Sequence, residues 1–463
     1  MSTASPPNPP YRSPHDLDLA PVARLPRSVR EFLSTEIAGG IVLIVAAVLA
    51  LVWANSSWSE SYETFLHTSL VLDVGSFHLS MDLQHFVNDG LMALFFFVVG
   101  LEIKRELVEG ELRDPRVAAI PAIAALGGMV VPVAIYLLVN SQAVTPGLGA
   151  SGGWGIPMAT DIAFALGVVA LFGSRLPSGL KLFLLTLAIV DDIGAILVIA
   201  VFYADEFDGS PLVAAIVTLG AVVGMRRLRV GSHWVFVPLG LLLWYFTFRS
   251  GVHPTIAGVV MGLVTPARAG SPGETARNWA KDLDDEPTAE EVDVMTHLAR
   301  SSVSLAEWLQ HRLHPLTSFL IVPFFALVNA GVRLDGAVFE GGDASVVALG
   351  IVLGLVVGKL VGISGFTWLA VRFGLGRLPE GMNWRLLFGA AAVAGIGFTV
   401  SLFVAQLAFE DDLEVQAAAK TAVLAASVLA AVIGSVLLAL AIRAPGGDGS
   451  SAHGDVAGSQ PPG

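Results

Sequence analysis

The sequence predicts an all-α polytopic membrane protein with twelve transmembrane helices. Three observations carry this reading. Hydrophobic residues make up 54% of the 463 residues and charged residues only 14%, whereas a soluble domain has about 25% charged residues. The apolar residues fall into long blocks, several near the ~20 residues needed to cross a bilayer. Lysine and arginine are unevenly shared between successive loops, as expected when cytoplasmic loops are enriched in them. Together these exclude a soluble globular enzyme. The net charge of −13 argues against a nucleic-acid partner, which needs basic patches. The chain has no cysteine, which excludes disulfides, cysteine-zinc sites, cysteine-ligated iron–sulfur clusters and thiol catalysis. No cofactor is implied.

Residues 1–36 hold seven of the 25 prolines and no apolar core, so they read as a cytoplasmic tail rather than a signal peptide. The twelve-helix domain is expected over 37–443. Its spans read 37–54, 84–102, 117–139, 155–173, 180–203, 211–225, 233–249, 254–267, 316–332, 346–371, 386–408 and 417–442. Residues 268–300 form an acidic, polar cytoplasmic loop, and the Gly/Ser/Pro-rich end, 444–463, reads as a disordered cytoplasmic tail. With the N-terminus inside, the inside segments hold 22 Lys and Arg residues and the outside segments three, Arg249, Arg333 and Lys420. The asymmetry supports twelve spans with both termini cytoplasmic, and leaves Lys359 alone within a span. Between spans 1 and 2, TSLVLDVGSFHLSMD alternates apolar and polar residues around Gly75-Ser76. This predicts a β-hairpin, with a plain external loop as the alternative. An isolated hairpin is only marginally stable, so it must pack on something.

Charged side chains inside the bilayer cost roughly 2.5–3.5 kcal/mol each on insertion scales, which makes them functional candidates. Four stand out. Asp161 lies in span 4, Asp191 and Asp192 at the centre of span 5, and Lys359 in span 10. Lys359 is about 18 Å from either end of its span, at ~1.5 Å per residue, too deep to reach the interface. An ion pair that only holds helices together is the plain alternative, but four such groups together favour an ion or proton path. Adjacent aspartates point about 100° apart on a helix, so both can edge one cavity, and they should titrate as a coupled pair. Ionised, they are a hard-oxygen site for a small cation; protonated, they lose it. Competition between H+ and a cation for one site is the minimum an antiporter requires.

Spans 4 and 11 carry helix breakers. Span 4 has Pro157, Thr160, Asp161 and Gly167; span 11 has Gly395, Gly397, Thr399 and Ser401. They sit in the middle of spans 3–5 and of spans 10–12, and interrupted helices in matching positions of two halves point to inverted repeats. Half-helix ends meeting at mid-membrane expose partial charges, which Asp161 could balance at N-termini and Lys359 at C-termini. Gly350, Gly354, Gly358 and Gly362 recur every four residues in span 10 and let helices approach closely.

The strings FFFVVGLEIKRELVEGEL, PMATDIAFALGVVALFGSRLP, LAIVDDIGAILVIAVFY, SGVHPTIAGV, FALVNAGV, GKLVGISGF and AGIGFTVSLFVAQLAF resemble the NhaA family of bacterial Na+/H+ antiporters, from about residue 30 to 443. That family is itself a named example of the inverted-repeat rule, so the two readings are not independent. The resemblance implies that Asp191 and Asp192 bind the transported Na+ and H+, Asp192 being the more indispensable. It implies that Asp161 and Thr160 flank the site at the broken helix, and that Lys359 pairs with the first aspartate. It also implies electrogenic exchange with more H+ than Na+ moved, acceptance of Li+, activation at alkaline pH, location in the bacterial cell membrane, and a homodimer joined through the 67–82 hairpin. Glu102, Lys104, Arg105 and Glu106 match the family's pH-sensing cluster, although by themselves they read as ordinary helix-end charges. His253, which alone reads as structural, matches a position that modulates the pH response. The chain departs from the family in LQHRLHP before span 9, where Gln310 stands at the place of an acid and Glu307 lies one turn earlier. That puts the pH set-point in doubt and leaves the transport site intact.

Other classes fit less well. An intramembrane aspartyl protease needs two aspartates from different helices, one in a Gly-x-Gly-Asp setting, and no such string occurs. A carrier of another substrate, such as an organic anion, would have lost the Asp-Asp pair. A passive channel would differ in failing to drive uphill counterflow.

Overall fold

In the computed structural model, residues 27–74, 77–141, 150–204, 208–228, 233–268, 288–333 and 342–443 are described. The described chain is helical except for one hairpin, in which Ser69–Val74 and Phe77–Asp82 pair antiparallel, Ser69 opposite Asp82 and Val74 opposite Phe77. This settles the hairpin against the external-loop alternative; its turn, Gly75-Ser76, lies outside the described residues.

Each expected span has a helical counterpart. Eight are long and apolar enough to cross a membrane, or ten if each sharply bent pair is one span. The counterparts of spans 7 and 8 are shorter, with apolar helices at Val235–Arg249 and Thr255–Val264. Two boundaries differ from the sequence reading. The helix that carries span 1 runs from Arg27 to Ala54, so the expected tail 1–36 overlaps its first turns. Span 9 is part of one run, Leu305–Asn329, that contains the whole LQHRLHP stretch and passes Pro315 by way of a wide π turn at Thr317–Ile321. Such single turns are the usual way for a helix to absorb an irregularity. The polar loop 268–300 includes a helix, Ala289–Ser301, and its residues 269–287 lie outside the described set, as does 444–463.

Without a hydrophobic drive between helices in lipid, small residues set which helices touch. Span 2 (Leu83–Val108) meets span 8 at glycines: a Cβ on Gly100 would lie 2.6 Å from the Val259 carbonyl oxygen, and one on Gly262 2.6 Å from that of Phe97. The glycine ladder of span 10 (Asp343–Arg372) faces spans 3 and 4. Gly354 lies against Pro157, Gly358 against Pro132, and Gly362 against Gly127. Glycines four apart share one helix face, so this ladder is the packing surface that brings Lys359 to the broken span.

Candidate cation and proton site

Span 4 is two pieces, a tight 3-10 helix at Ala150–Met158 and an α-helix at Ile162–Ala170. Span 11 is likewise two helices, Trp384–Val393 and Phe398–Ala408, bent by 45°. The two breaks cross and satisfy one another. The Asp161 amide donates to the Ile396 carbonyl at 2.7 Å. The Thr160 hydroxyl donates to Ala394 O at 2.8 Å, and the Ser401 hydroxyl to Ile156 O at 2.8 Å. Each break frees backbone groups that water cannot reach, so each must find a partner in protein.

Asp161 caps both inner helix starts. Its Oδ1 accepts from the Phe164 amide at 2.9 Å, and its Oδ2 from the Thr399 amide at 3.1 Å and the Thr399 hydroxyl at 2.7 Å. One carboxylate thereby meets the positive ends of two half-helices. Lys359 meets the opposite polarity. It follows a π turn at Gly354–Gly358 and is wholly buried. Its Nζ donates to Met158 O at 2.5 Å, at the C-terminal end of the 3-10 piece, to Thr160 Oγ1 at 2.8 Å and to Asp191 Oδ2 at 2.5 Å.

Asp191 and Asp192 lie in the middle of the helix Ser178–Phe202. They are both buried but not equivalent. Asp191 is 1% exposed and Asp192 9%, so Asp192 is the more accessible of the two. Asp191 spends one oxygen on Lys359, while its Oδ1 is buried without a hydrogen bond. The Asp192 carboxylate has no hydrogen-bond partner among the described residues, and Glu102, Asp161, Asp191 and Lys359 all lie within electrostatic reach of it. Unsatisfied buried carboxylate oxygens are costly and suit a hard cation, which takes oxygen ligands, or protons.

The expected pH cluster is brought together only in part. Glu102 and Lys104 are half-buried on span 2. Glu106 is buried, accepts from the Glu111 amide at 3.0 Å, and lies 3.8 Å from Arg105. Arg105 in turn donates to Gln310 Oε1 at 3.3 Å. Gln310, where an acid was expected, is therefore in direct contact with this cluster. His253 is elsewhere. It precedes the helix Thr255–Val264 and hydrogen-bonds the carbonyl of Tyr203, at the C-terminal end of span 5. Lys420, counted with the outside segments, is buried in the helix Leu413–Arg443 and donates to Gln406 Oε1 at 2.5 Å.

Buried carboxylates at the crossing of two broken helices in a many-helix apolar core have the form of an ion-coupled membrane transporter. Comparison with known proteins makes this specific. Residues 30–438 match the family described as Na+/H+ antiporter 1. The Na+/H+ antiporter NhaA 3 of Frankia alni is 47% identical over 90% of this chain and 89% of its own. The Na+/H+ antiporter NhaA of Rhodopirellula baltica is 45% identical over 93% and 97%, and that of Yersinia pseudotuberculosis 43% identical over 90% and 97%. The chain belongs to the Na+/H+ antiporter 1 family.

Proposed function

We propose that the protein extrudes cytoplasmic Na+, or Li+, in exchange for external H+, at the carboxylates of Asp191 and Asp192. The observation that carries this is the buried Lys359–Asp191 pair beside Asp192. In one state Asp191 is neutralised by Lys359. A cation entering between the two carboxylates competes with that ammonium, which keeps Met158 O and Thr160 Oγ1 as acceptors on span 4. Protonation of the carboxylates expels the cation. Both ligands use one site, so their coupling follows from mutual exclusion. Asp161 stays engaged with three donors at two helix starts and serves the crossing rather than the cargo directly.

The finer reading is that more H+ than Na+ moves per cycle, making exchange electrogenic, with control by pH through Glu102, Lys104, Arg105, Glu106 and, more remotely, His253. It includes twelve crossings with both termini cytoplasmic in the bacterial cell membrane, a homodimer through the 67–82 hairpin, and a role in sodium and pH homeostasis. The lysine and arginine asymmetry of the loops supports the orientation. The test is Na+- and Li+-driven proton movement in proteoliposomes across pH, with a potential-sensitive dye. Cation-dependent proton efflux that polarises the membrane is expected; proton movement indifferent to both cations would overturn the reading.

A further inference from the structure

Tyr203, the residue after the helix Ser178–Phe202, is joined to span 4 in a way that neither the transport site nor the helix packing requires. Its hydroxyl donates to Gly152 O at 2.7 Å and accepts from the Gly155 amide at 3.1 Å. Its ring packs beside Trp154, with centroids 6.3 Å apart. Two glycines of this stretch have no room for a side chain: a Cβ on Gly155 would lie 2.7 Å from the Tyr203 hydroxyl, and one on Gly153 2.5 Å from that of Tyr136.

The 3-10 piece Ala150–Met158 is thus tied to span 5 at both ends. At its outer end the tie is Tyr203. At its inner end the tie is Met158 O, held by Lys359, which also holds Asp191. Asp191 and Tyr203 are on one helix, about 18 Å apart at ~1.5 Å per residue. We infer that Tyr203 is a positioning residue for transport: it fixes the 3-10 piece so that Met158 O and Thr160 stand ready to keep the Lys359 ammonium when a cation displaces it from Asp191. This rests on the antiport reading above. If the outer tie is cut, the piece can shift, Lys359 loses acceptors on span 4, and it falls back on Asp191. The cation then competes against a stronger opponent, and apparent affinity falls while the exchange chemistry is untouched.

The experiment compares wild type, Tyr203→Phe and Gly155→Ala in proteoliposomes, titrating Na+ and reading proton movement, with melting temperature measured alongside. Tyr203→Phe keeps the ring and removes only the hydroxyl. It should raise KM for Na+ about three- to tenfold, the range expected from losing one or two net hydrogen bonds, with a maximal rate within about twofold of wild type. Gly155→Ala, which pushes a methyl group onto the hydroxyl, should move KM in the same direction, and it decides the matter alone if Tyr203→Phe does not accumulate. KM values superimposable on wild type, or a fall in maximal rate at constant KM, would overturn the positioning role. Absence of exchange in the wild type would overturn the antiport reading itself.

Discussion

Among the described residues two lysines are buried, and they are held in opposite ways. Lys359 meets a carboxylate, a backbone carbonyl and a hydroxyl at the crossing of spans 4 and 11. Lys420, on span 12, donates to the carboxamide of Gln406. Nearby, Gln416 turns its own amide toward Phe409 O at 3.0 Å and Gln406 O at 3.4 Å. Both ammonium groups lose water, which is expensive. Only Lys359 regains a full opposite charge. A carboxylate can be taken away from it by a proton or a metal cation, so that contact can switch. A carboxamide takes up no proton at ordinary pH and carries no charge for a cation to neutralise, so the Lys420 contact has no such switch. The difference separates a charge that faces a titratable partner from one that joins span 12 to the C-terminal half of span 11.

The sharpest way to break this comparison is at the carboxylates. Asp192→Asn keeps shape and removes a titrating ligand, and Na+-dependent proton exchange should disappear while the protein still inserts and folds. Exchange like that of wild type at every pH would remove Asp192 from the site. Next in size, Lys359→Ala strands Asp191 as an unpaired buried carboxylate. Breaking one side of a buried pair costs about 3–5 kcal/mol in soluble proteins, so melting should fall clearly and the pH profile should shift. Lys420→Met should behave differently. It removes a buried charge and leaves one amide oxygen short of a donor, a cost of roughly 1–3 kcal/mol that the relieved desolvation offsets. Its melting temperature should stay close to wild type, and a drop as large as that of Lys359→Ala would erase the distinction.

Gln310→Glu converts the second cation–carboxamide contact, with Arg105, into a cation–carboxylate one that can titrate. The pH profile of exchange should steepen or move. A profile and apparent Na+ affinity superimposable on wild type would place regulation at Glu307 or wholly at Asp191 and Asp192. The smallest effect is expected outside the membrane. Burial works to raise the pKa of Asp82, but hydrogen bonds from the His85 amide and from the imidazoles of His85 and His67 outweigh it and hold the carboxyl below its ordinary value. A lowered carboxyl stabilises the fold above its ordinary pKa, and the contribution is lost as pH falls through the lowered value. Melting of wild type should therefore lose slightly more than melting of Asp82→Asn as pH is taken down through the carboxylate range.

Much of this was legible in the sequence because bilayer solvation is unforgiving. Asp161, Asp191, Asp192 and Lys359 are conspicuous in apolar runs, and the Pro157 and Gly395–Gly397 breaks announce two interrupted helices. What stayed hidden depends on partners far along the chain. Lys420 reads as a helix-end charge near an outside loop; its burial follows from Gln406 and the packing of spans 11 and 12, which no local pattern encodes. Tyr203 reads as one more aromatic at the end of an apolar helix, and its grip on Gly152 and Gly155 needs the fold to be seen. The π turns at Phe86–Leu91, Thr317–Ile321 and Gly354–Gly358 insert a residue without a composition signal. The start of the first helix at Arg27 was masked by a polar stretch beside a proline-rich one.

The mutual satisfaction of the two breaks has a consequence for how the chain is made. Asp161 and Thr399 are 238 positions apart, and Ser401 and Ile156 are 245 apart. At roughly 5–20 residues per second of synthesis, span 4 leaves the ribosome some 10–50 s before the residues that complete it. During that interval its freed amides and carbonyls have no permanent protein partners. An interrupted segment cannot rest in hydrocarbon in that condition, so the N-terminal half must keep its middle hydrated or borrow contacts until the second half arrives. The crossing can form only once span 11 has been made, and a chain truncated before span 11 lacks the partners that satisfy the break in its own fourth span.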